Sequence, residues 1–334
     1  MTIRVAINGF GRIGRMVLRA LAENNRKDVQ IVAINDLGSL DSNAHLFKYD
    51  SVHGRFQGIV TTADNTLDIG LGPIQVLAEP NPEKLPWGEL KIDLVMECSG
   101  RFTSKADASK HISAGAKRVL VSAPADGADL TVVYGVNHDQ IKAEHQVLSN
   151  ASCTTNCLAP VAYVLHNAIG IQHGYMTTIH SYTGDQRLVD TLHNDLHRAR
   201  AACMSMIPSS TGAAKAVGLV LPDLKGKLDG TAIRVPTANV SVVDFKFVPK
   251  RETTKEEINL AILEAANGPL KGILAAISEP LVSIDFNHDS HSSNFDLMQT
   301  QVIDGRFCRV LSWYDNEWGF ANRMCDVAAY MSKI

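Results

Sequence analysis

Gly9-Phe10-Gly11-Arg12-Ile13-Gly14 constrains the fold of this 334-residue chain more than any other feature. It stands between a β-rich run, Ile3 to Asn8, and a stretch from Arg12 to Glu23 in which Ile13, Val17, Leu18 and Leu21 recur at helical spacing. Glycines so placed let backbone amides approach a pyrophosphate at the helix N-terminus, whereas in a bare turn they carry no such meaning. The context comes from a second β-rich run, Val29 to Asn35, followed by Asp36, which lies 22 residues beyond Gly14. A carboxylate there accepts both hydroxyls of a ribose and repels a 2′-phosphate. Leu37 and Gly38 offer no cation to offset that repulsion, so NAD is expected over NADP.

Further short β-rich runs, Leu94 to Cys98, Arg118 to Ser122, Val132 to Val136 and Val147 to Asn150, alternate with helix-like stretches and predict a parallel sheet covered by helices. After about residue 150 the segments lengthen and alternate, as in Val240 to Phe247. A hairpin is expected where Leu297 to Ile303 and Phe307 to Trp313 flank Asp304-Gly305-Arg306. Thr254 and Glu257 form a capping box for a helix, so these groups read as helix-start chemistry and not as catalysts. The second half is therefore expected to be a separate α+β domain with a mainly antiparallel sheet. From Asn316 to Ile334 the pattern is helical again, with Phe320, Met324, Val327, Ala328 and Met331 on one face.

With 32 Lys+Arg against 35 Asp+Glu, a net charge of −3, the whole chain shows no basic stripe for nucleic acid. Met1 to Gly9 turns too soon for the apolar region of a signal peptide, and no run approaches the length of a membrane span. Six cysteines, none in a CxxC pair, are too few for a disulfide framework and predict reduced thiols in the cytoplasm.

One of these, Cys153, falls in the first turn of a helix carrying Leu158, Val161, Ala162, Leu165 and Ile169 at core spacing. There unpaired amides and the positive end of the helix dipole favour a thiolate and a developing oxyanion. Cys157, one turn deeper, reads as a buried small hydrophobe. His180 ends the run Tyr175 to Ile179 and can face a helix-start thiol as its base, although a lone histidine is more often structural. Ser209-Ser210-Thr211-Gly212 precedes an Ala-rich helix and suits either an anion or ordinary capping. Arg198 and Arg200 follow a loop, and Arg234 sits in an apolar run, where it needs an anionic partner. His193 with His197 at i,i+4, and His288 with His291, have no nearby thiolate, so no metal is expected.

At Ala151-Ser152-Cys153-Thr154-Thr155-Asn156-Cys157-Leu158-Ala159-Pro160 the chain closely resembles the phosphorylating glyceraldehyde-3-phosphate dehydrogenases of bacterial type. The resemblance covers nearly the whole chain. It extends through Ile7 to Arg15, His180 to Gln186, Ser210 to Ala216, Arg234 to Thr237 and Trp313 to Gly319. It implies a Rossmann-type NAD-binding domain over 1–150, a catalytic domain over 151–315, and a final helix, 316–334, that returns to the first domain.

In the activity it implies, Cys153, activated by His180, attacks glyceraldehyde 3-phosphate to give a hemithioacetal, whose hydride passes to the nicotinamide of NAD and leaves a thioester that inorganic phosphate cleaves. Phosphates would be held by Thr183, Arg198, Thr211, Gly212 and Arg234, with Ser152 and Thr154 flanking the nucleophile. Asn8 belongs to the cofactor motif, Arg12 and Ile13 would approach the pyrophosphate, Ser122 the inner face of the cofactor, and Asn316 the nicotinamide amide. A homotetramer is implied, with about Ser181 to Ser210 near a neighbour's cofactor site, and neither a membrane nor an obligate nucleic acid. Two positions depart from the family pattern: Pro80 replaces a common Arg near the adenine, and Leu192 a common Pro. Phe286-Asn287-His288-Asp289 is reminiscent of the erythrose-4-phosphate dehydrogenase branch, but Tyr182-Thr183-Gly184 is the glyceraldehyde type. A second role in binding RNA or protein stays open beside catalysis.

Overall fold

A computed structural model describes residues 2–334. The chain divides into two compact units, one built from the residues up to Ser152 together with Phe320–Ile334, the other from Cys153–Gly319.

The first unit contains nine strands in one sheet: β1 (Ile3–Asn8), β2 (Val29–Asn35), β3 (Thr61–Ala63), β4 (Thr66–Asp68), β5 (Pro73–Leu77), β6 (Leu94–Glu97), β7 (Arg118–Val121), β8 (Leu130–Thr131) and β9 (Val147–Ser149). Their order is β3-β4-β5-β2-β1-β6-β7-β9-β8, parallel except where β4 meets β3 and β5. The order reverses between β1 and β6, where Asn8 pairs with Glu97. Such a reversal leaves a crevice beyond the carboxyl ends of the strands. Helix α1 (Arg12–Glu23) makes the first crossover and buries Met16, Val17, Leu18 and Leu21. Helix α2 (Leu40–Lys48) starts at Ser39, whose side chain accepts from the Ser42 N–H. The short helices α3 (Lys105–Ala108) and α4 (Lys110–Ser113) follow β6. Ala6, Ala33, Trp87, Val95, Val119 and Val147 belong to one buried cluster of this unit.

Val132 to Val136, expected as a strand, is not one. The chain leaves the sheet after Thr131 and turns, with Gly135 at φ +86° and the Asn137 side chain bonding the Val133 N–H and the Thr131 carbonyl. Val132 and Val133 are buried all the same, so the apolar run reflects the core and not a ladder.

The second unit holds α5 (Cys153–Ile169), α6 (Ala213–Val220) and α7 (Lys255–Asn267) with strands β10 (Ile171–Ser181), β11 (Ile207–Ser210), β12 (Leu228–Val235), β13 (Ser241–Pro249), β14 (Leu274–Ile277), β15 (Ser293–Asp296), β16 (Gln301–Ile303) and β17 (Phe307–Tyr314). The order is β11-β12-β10-β13-β17-β15-β14, with β16 against β17. Only β10 with β12 and β14 with β15 run parallel, so the sheet is mainly antiparallel. Helix α5 buries Leu158, Val161, Ala162 and Leu165 and packs beside α6, α7 and β15.

The hairpin between β16 and β17 has a three-residue connection, Asp304 to Arg306, and turns through Asp304 and Gly305, both with positive φ, with the Arg306 N–H closing the turn on the Ile303 carbonyl. Leu297–Gln299, expected to extend its first strand, forms a single 3₁₀ turn instead, because the Asp296 side chain caps it at the Met298 N–H. Thr254 caps α7 through the Glu257 N–H, but the Glu257 carboxylate takes the Thr253 hydroxyl and Arg251, so only one arm of the expected capping box forms there. Residues 191–193 have no regular structure and 194–200 are bends and turns, so the i,i+4 spacing of His193 and His197 does not correspond to a helix.

The last helix, α8 (Trp318–Met331), belongs mostly to the first unit: Cys325 Sγ approaches the Val17 carbonyl, and Asp326 pairs with Arg26. No helix among the described residues is long and apolar enough to cross a membrane.

Candidate active site

In the first unit the crevice at the strand reversal is a cleft of about 240 Å³, lined in part by Asn8, Gly9, Gly11, Asp36, Ser99 and Phe102. Its glycines have separate reasons. At Gly9, φ is +91°, and a Cβ would lie 2.5 Å from the Ser99 backbone; at Gly14 a Cβ would lie 2.2 Å from the Gly9 carbonyl oxygen. Gly11 meets nothing within 4 Å. It is the N-cap of α1 without a side-chain cap, so bare backbone and the positive end of a helix dipole face the cleft. Such a cradle fits the diphosphate of a dinucleotide.

Asp36 lies on the cleft wall, fixed by the Phe10 N–H on Oδ2 and the Gly38 N–H on Oδ1, each at 2.8 Å. Oδ1 also takes a long bond from Asn43 Nδ2 at 3.4 Å, so Oδ2 is the oxygen that keeps a lone pair open for a ribose hydroxyl. Arg12 and Ile13 form the first turn of α1, but the guanidinium of Arg12 is committed to Asp50. Burial opposes ionisation of Asp50, yet Arg12 and the N–H groups of His53 and Val52 outweigh it and hold the carboxyl down to about 2. What Arg12 offers a cofactor is therefore its place in the helix start and not its charge. Ser122 lies just past β7 and is not part of the cleft lining. Pro80 lines the cleft.

In the second unit the strand register assembles a reactive cluster. Parallel pairing of β10 with β12 sets His180 beside Arg234, and antiparallel pairing of β11 with β12 sets Ile207 beside Arg234 and Ser209 beside Ala232. Cys153 opens α5, and its Sγ stands 3.5 Å from His180 Nε2. The Ser181 carbonyl lies 2.7 Å from His180 Nδ1 and 3.0 Å from Arg234 Nη1. Arg234 Nη1 also stands 2.7 Å from His180 Nδ1, so Nδ1 faces both a donor and an acceptor: a ring proton on Nδ1 donates to the Ser181 carbonyl and leaves the Nε2 lone pair toward the thiol, whereas acceptance from Arg234 puts the proton on Nε2. Burial and the charge of Arg234 hold His180 down to about 3. Burial also pushes the Cys153 thiol up, opposed by Arg234 and by hydrogen bonds at Thr154. Both shifts favour the neutral thiol and the neutral imidazole in the resting pocket, and the 3.5 Å contact gives the thiol proton a place to go when a thiolate forms.

Arg234 is mostly buried, and its Nε has no hydrogen-bond partner. Such a cation is poised for an anion. Arg198 donates from Nε and Nη2 to Ser209 Oγ at 2.9 and 2.6 Å and pairs with Asp185. Gly212 is the N-cap of α6 with open space at its Cα, and Thr211 Oγ1 accepts from the Ala213 N–H. The Thr183 N–H donates to Gln186. Arg200 is tied to Asp190 on the surface. Asn316 Oδ1 accepts from Ser181 Oγ and Ser241 Oγ, which fixes the orientation of its amide.

Tyr314 carried no separate signal in the sequence. Its hydroxyl, fully buried, sits between Thr154 Oγ1 at 2.8 Å and Thr178 Oγ1 at 2.9 Å, while its ring meets His180 edge-on at 5.9 Å. Burial pushes this phenol up, so it serves as a neutral hydrogen-bonding post that holds both the nucleophile's neighbour and the base. The histidine pairs have other partners: His193 bonds Asp185 and the Asp195 backbone, His288 stacks on Trp318, and His291 bonds Asp289. No cluster among the described residues has the make-up of a metal site.

Family models match both halves of the chain: the glyceraldehyde 3-phosphate dehydrogenase NAD binding domain over residues 3–105 and the C-terminal domain of the same family over 152–316. Proteins named glyceraldehyde-3-phosphate dehydrogenase from Xanthobacter flavus and Cereibacter sphaeroides are 66% and 65% identical over 334 residues, the full length of each chain. One from Geobacillus stearothermophilus is 56% identical over 333 residues, 99% of each chain.

Proposed function

The chain belongs to the glyceraldehyde-3-phosphate dehydrogenase family, an NAD-dependent oxidoreductase family, and from that premise we propose that its oxidation of glyceraldehyde 3-phosphate proceeds through a thioester on Cys153 that inorganic phosphate cleaves. The observation that carries this reading is the 3.5 Å contact between Cys153 Sγ and a histidine whose neighbouring strand position is Arg234, an arginine with a buried Nε that has no hydrogen-bond partner.

Sγ attacks the aldehyde carbon as its proton passes to His180 Nε2, which gives a hemithioacetal. The N-terminal amides of α5 and the imidazolium face the oxygen on which negative charge develops. NAD, when bound, supplies the acceptor for a hydride. The imidazolium returns its proton to the hemithioacetal oxygen, and the neutral His180 then takes the hydroxyl proton back as the hydride leaves, so loss of one hydride and one proton leaves the thioester. A phosphate oxygen attacks that carbonyl, the C–S bond breaks, and the thiolate is restored with an acyl phosphate as product. Arg234, Arg198, Thr183, Thr211 and Gly212 hold the substrate and attacking phosphates, with Ser152 and Thr154 beside the nucleophile. In the first unit, Asn8, Gly9, Gly11, Arg12, Ile13, Gly14 and Asp36 hold the dinucleotide, with Ser122 near its inner face, while Asn316 serves the nicotinamide amide.

A homotetramer is part of this reading. Leu188, Val189, Leu192, Leu196, Met204 and Met206 are strongly exposed within one segment, an apolar set that calls for another protein surface. Placement in the cytoplasm accords with six cysteines, all unpaired.

The test is the initial rate of NADH formation from glyceraldehyde 3-phosphate with and without inorganic phosphate. Withholding phosphate is expected to stop steady turnover after about one equivalent of NADH per site. Undiminished turnover without phosphate would mean that water cleaves the thioester, the behaviour of the erythrose branch.

A further inference from the structure

Beneath the cleft of the first unit lies a buried polar chain whose members Glu97, His111 and Trp87 have no part in the chemistry above. Glu97 ends β6 fully buried, and its carboxylate accepts four hydrogen bonds. Oε2 takes Asn8 Nδ2 at 2.6 Å and His111 Nε2 at 3.0 Å; Oε1 takes the Ser99 N–H at 2.7 Å and the Ser99 hydroxyl. Both ends of the chain fix its proton positions. Trp87 Nε1–H can only donate, and it does so to His111 Nδ1 at 3.0 Å, which leaves the imidazole proton on Nε2, toward Glu97. At the other end the Glu79 N–H donates to Asn35 Oδ1, so Asn35 Nδ2 donates to Asn8 Oδ1 and Asn8 Nδ2 must point to Glu97. The Ser99 hydroxyl in turn accepts from the Arg101 N–H.

Asn8 and Ser99 line the dinucleotide cleft from the two loops that meet at the strand reversal, and Gly9 packs directly on the Ser99 backbone. We propose that Glu97, held by His111 and Trp87, is a positioning residue that locks these two loops in the geometry that accepts the cofactor. Only a group that accepts at every lone pair satisfies the site. An amide of the same shape turns an N–H₂ against a donor whichever way it flips, so shape alone does not replace the carboxylate.

This inference rests on the NAD reading of the cleft, and direct binding separates the two. The dissociation constant of NAD is measured calorimetrically for the wild-type and Glu97→Gln proteins. Wild-type protein that binds no NAD would remove the reading of the cleft itself. With wild-type binding intact, Glu97→Gln is expected to weaken NAD about tenfold. The KM for NAD should rise in step, while the KM for glyceraldehyde 3-phosphate and the alkylation rate of Cys153 in cofactor-free protein shift by less than about twofold. A merely structural residue would move all of these together. Should Glu97→Gln fail to fold, Trp87→Phe, which keeps an aromatic ring in the core but removes the indole N–H that fixes the His111 tautomer, is expected to weaken NAD about threefold. NAD affinity equal to wild type in whichever variant folds would overturn the proposal.

Discussion

Cys153→Ser is expected to lower turnover at least about ten-thousandfold, whereas Cys157→Ser leaves most of it. The two thiols are one helical turn apart in α5, and their surroundings decide their roles. Cys153 opens the helix, where amide dipoles converge, and faces His180 and the charge of Arg234. Cys157 is fully buried, its Sγ is 3.5 Å from Ser293 Oγ and 3.7 Å from the Ser312 carbonyl, and burial pushes its thiol up to about 12. It has neither a base nor access, and serine can fill the same small polar slot. A serine hydroxyl at 153, by contrast, is far less acidic than a thiol and is a poorer leaving group from an acyl enzyme. Equal losses from both substitutions, measured by NADH formation, would remove the distinction.

His180→Asn is expected to lower kcat by about 10²–10⁴-fold, the usual range for a lost general base. Alkylation of Cys153 by iodoacetamide at pH 7 should slow about tenfold, because thiolate formation then loses its proton acceptor. The sign of the pH dependence follows from the site. Burial raises the Cys153 thiol, so without its partner the alkylation rate should recover only as pH rises into the range where the thiol ionises unaided. In wild-type protein the paired transfer makes thiolate available at lower pH. An alkylation rate that is the same in both proteins across this range would take His180 out of the role of base.

Much of this site could be read from the residues, and the parts that could not have a common cause. The bounds of β1 and β2 follow from short apolar runs closed by Asn8 and Asn35, and the helix that carries Cys153 follows from its core spacing. Local pattern sufficed because burial there acts on one element at a time. Strands β3 and β4 escaped notice because each has three residues, and all of β3 is exposed. Val132 and Val133 misled in the opposite way, since a run can be apolar because the core covers it without joining a ladder. Tyr314, Glu97 and His111 owe their importance to partners far away in sequence. Glu97 gives only a faint sign, a charge closing the apolar run Leu94-Val95-Met96; nothing near His111 foretells Trp87. The pairing of His180 with Arg234 is likewise a matter of strand register, which fixes which side chains stand abreast and is set by tertiary packing.

The most direct test of the account is the intact mass of the protein mixed with glyceraldehyde 3-phosphate and NAD while phosphate is withheld. The expected result is a single phosphoglyceroyl group per chain, mapped to the peptide that carries Cys153 and discharged when phosphate is added. A chain that forms NADH while Cys153 stays unmodified, or that carries the acyl group on another residue, would contradict it.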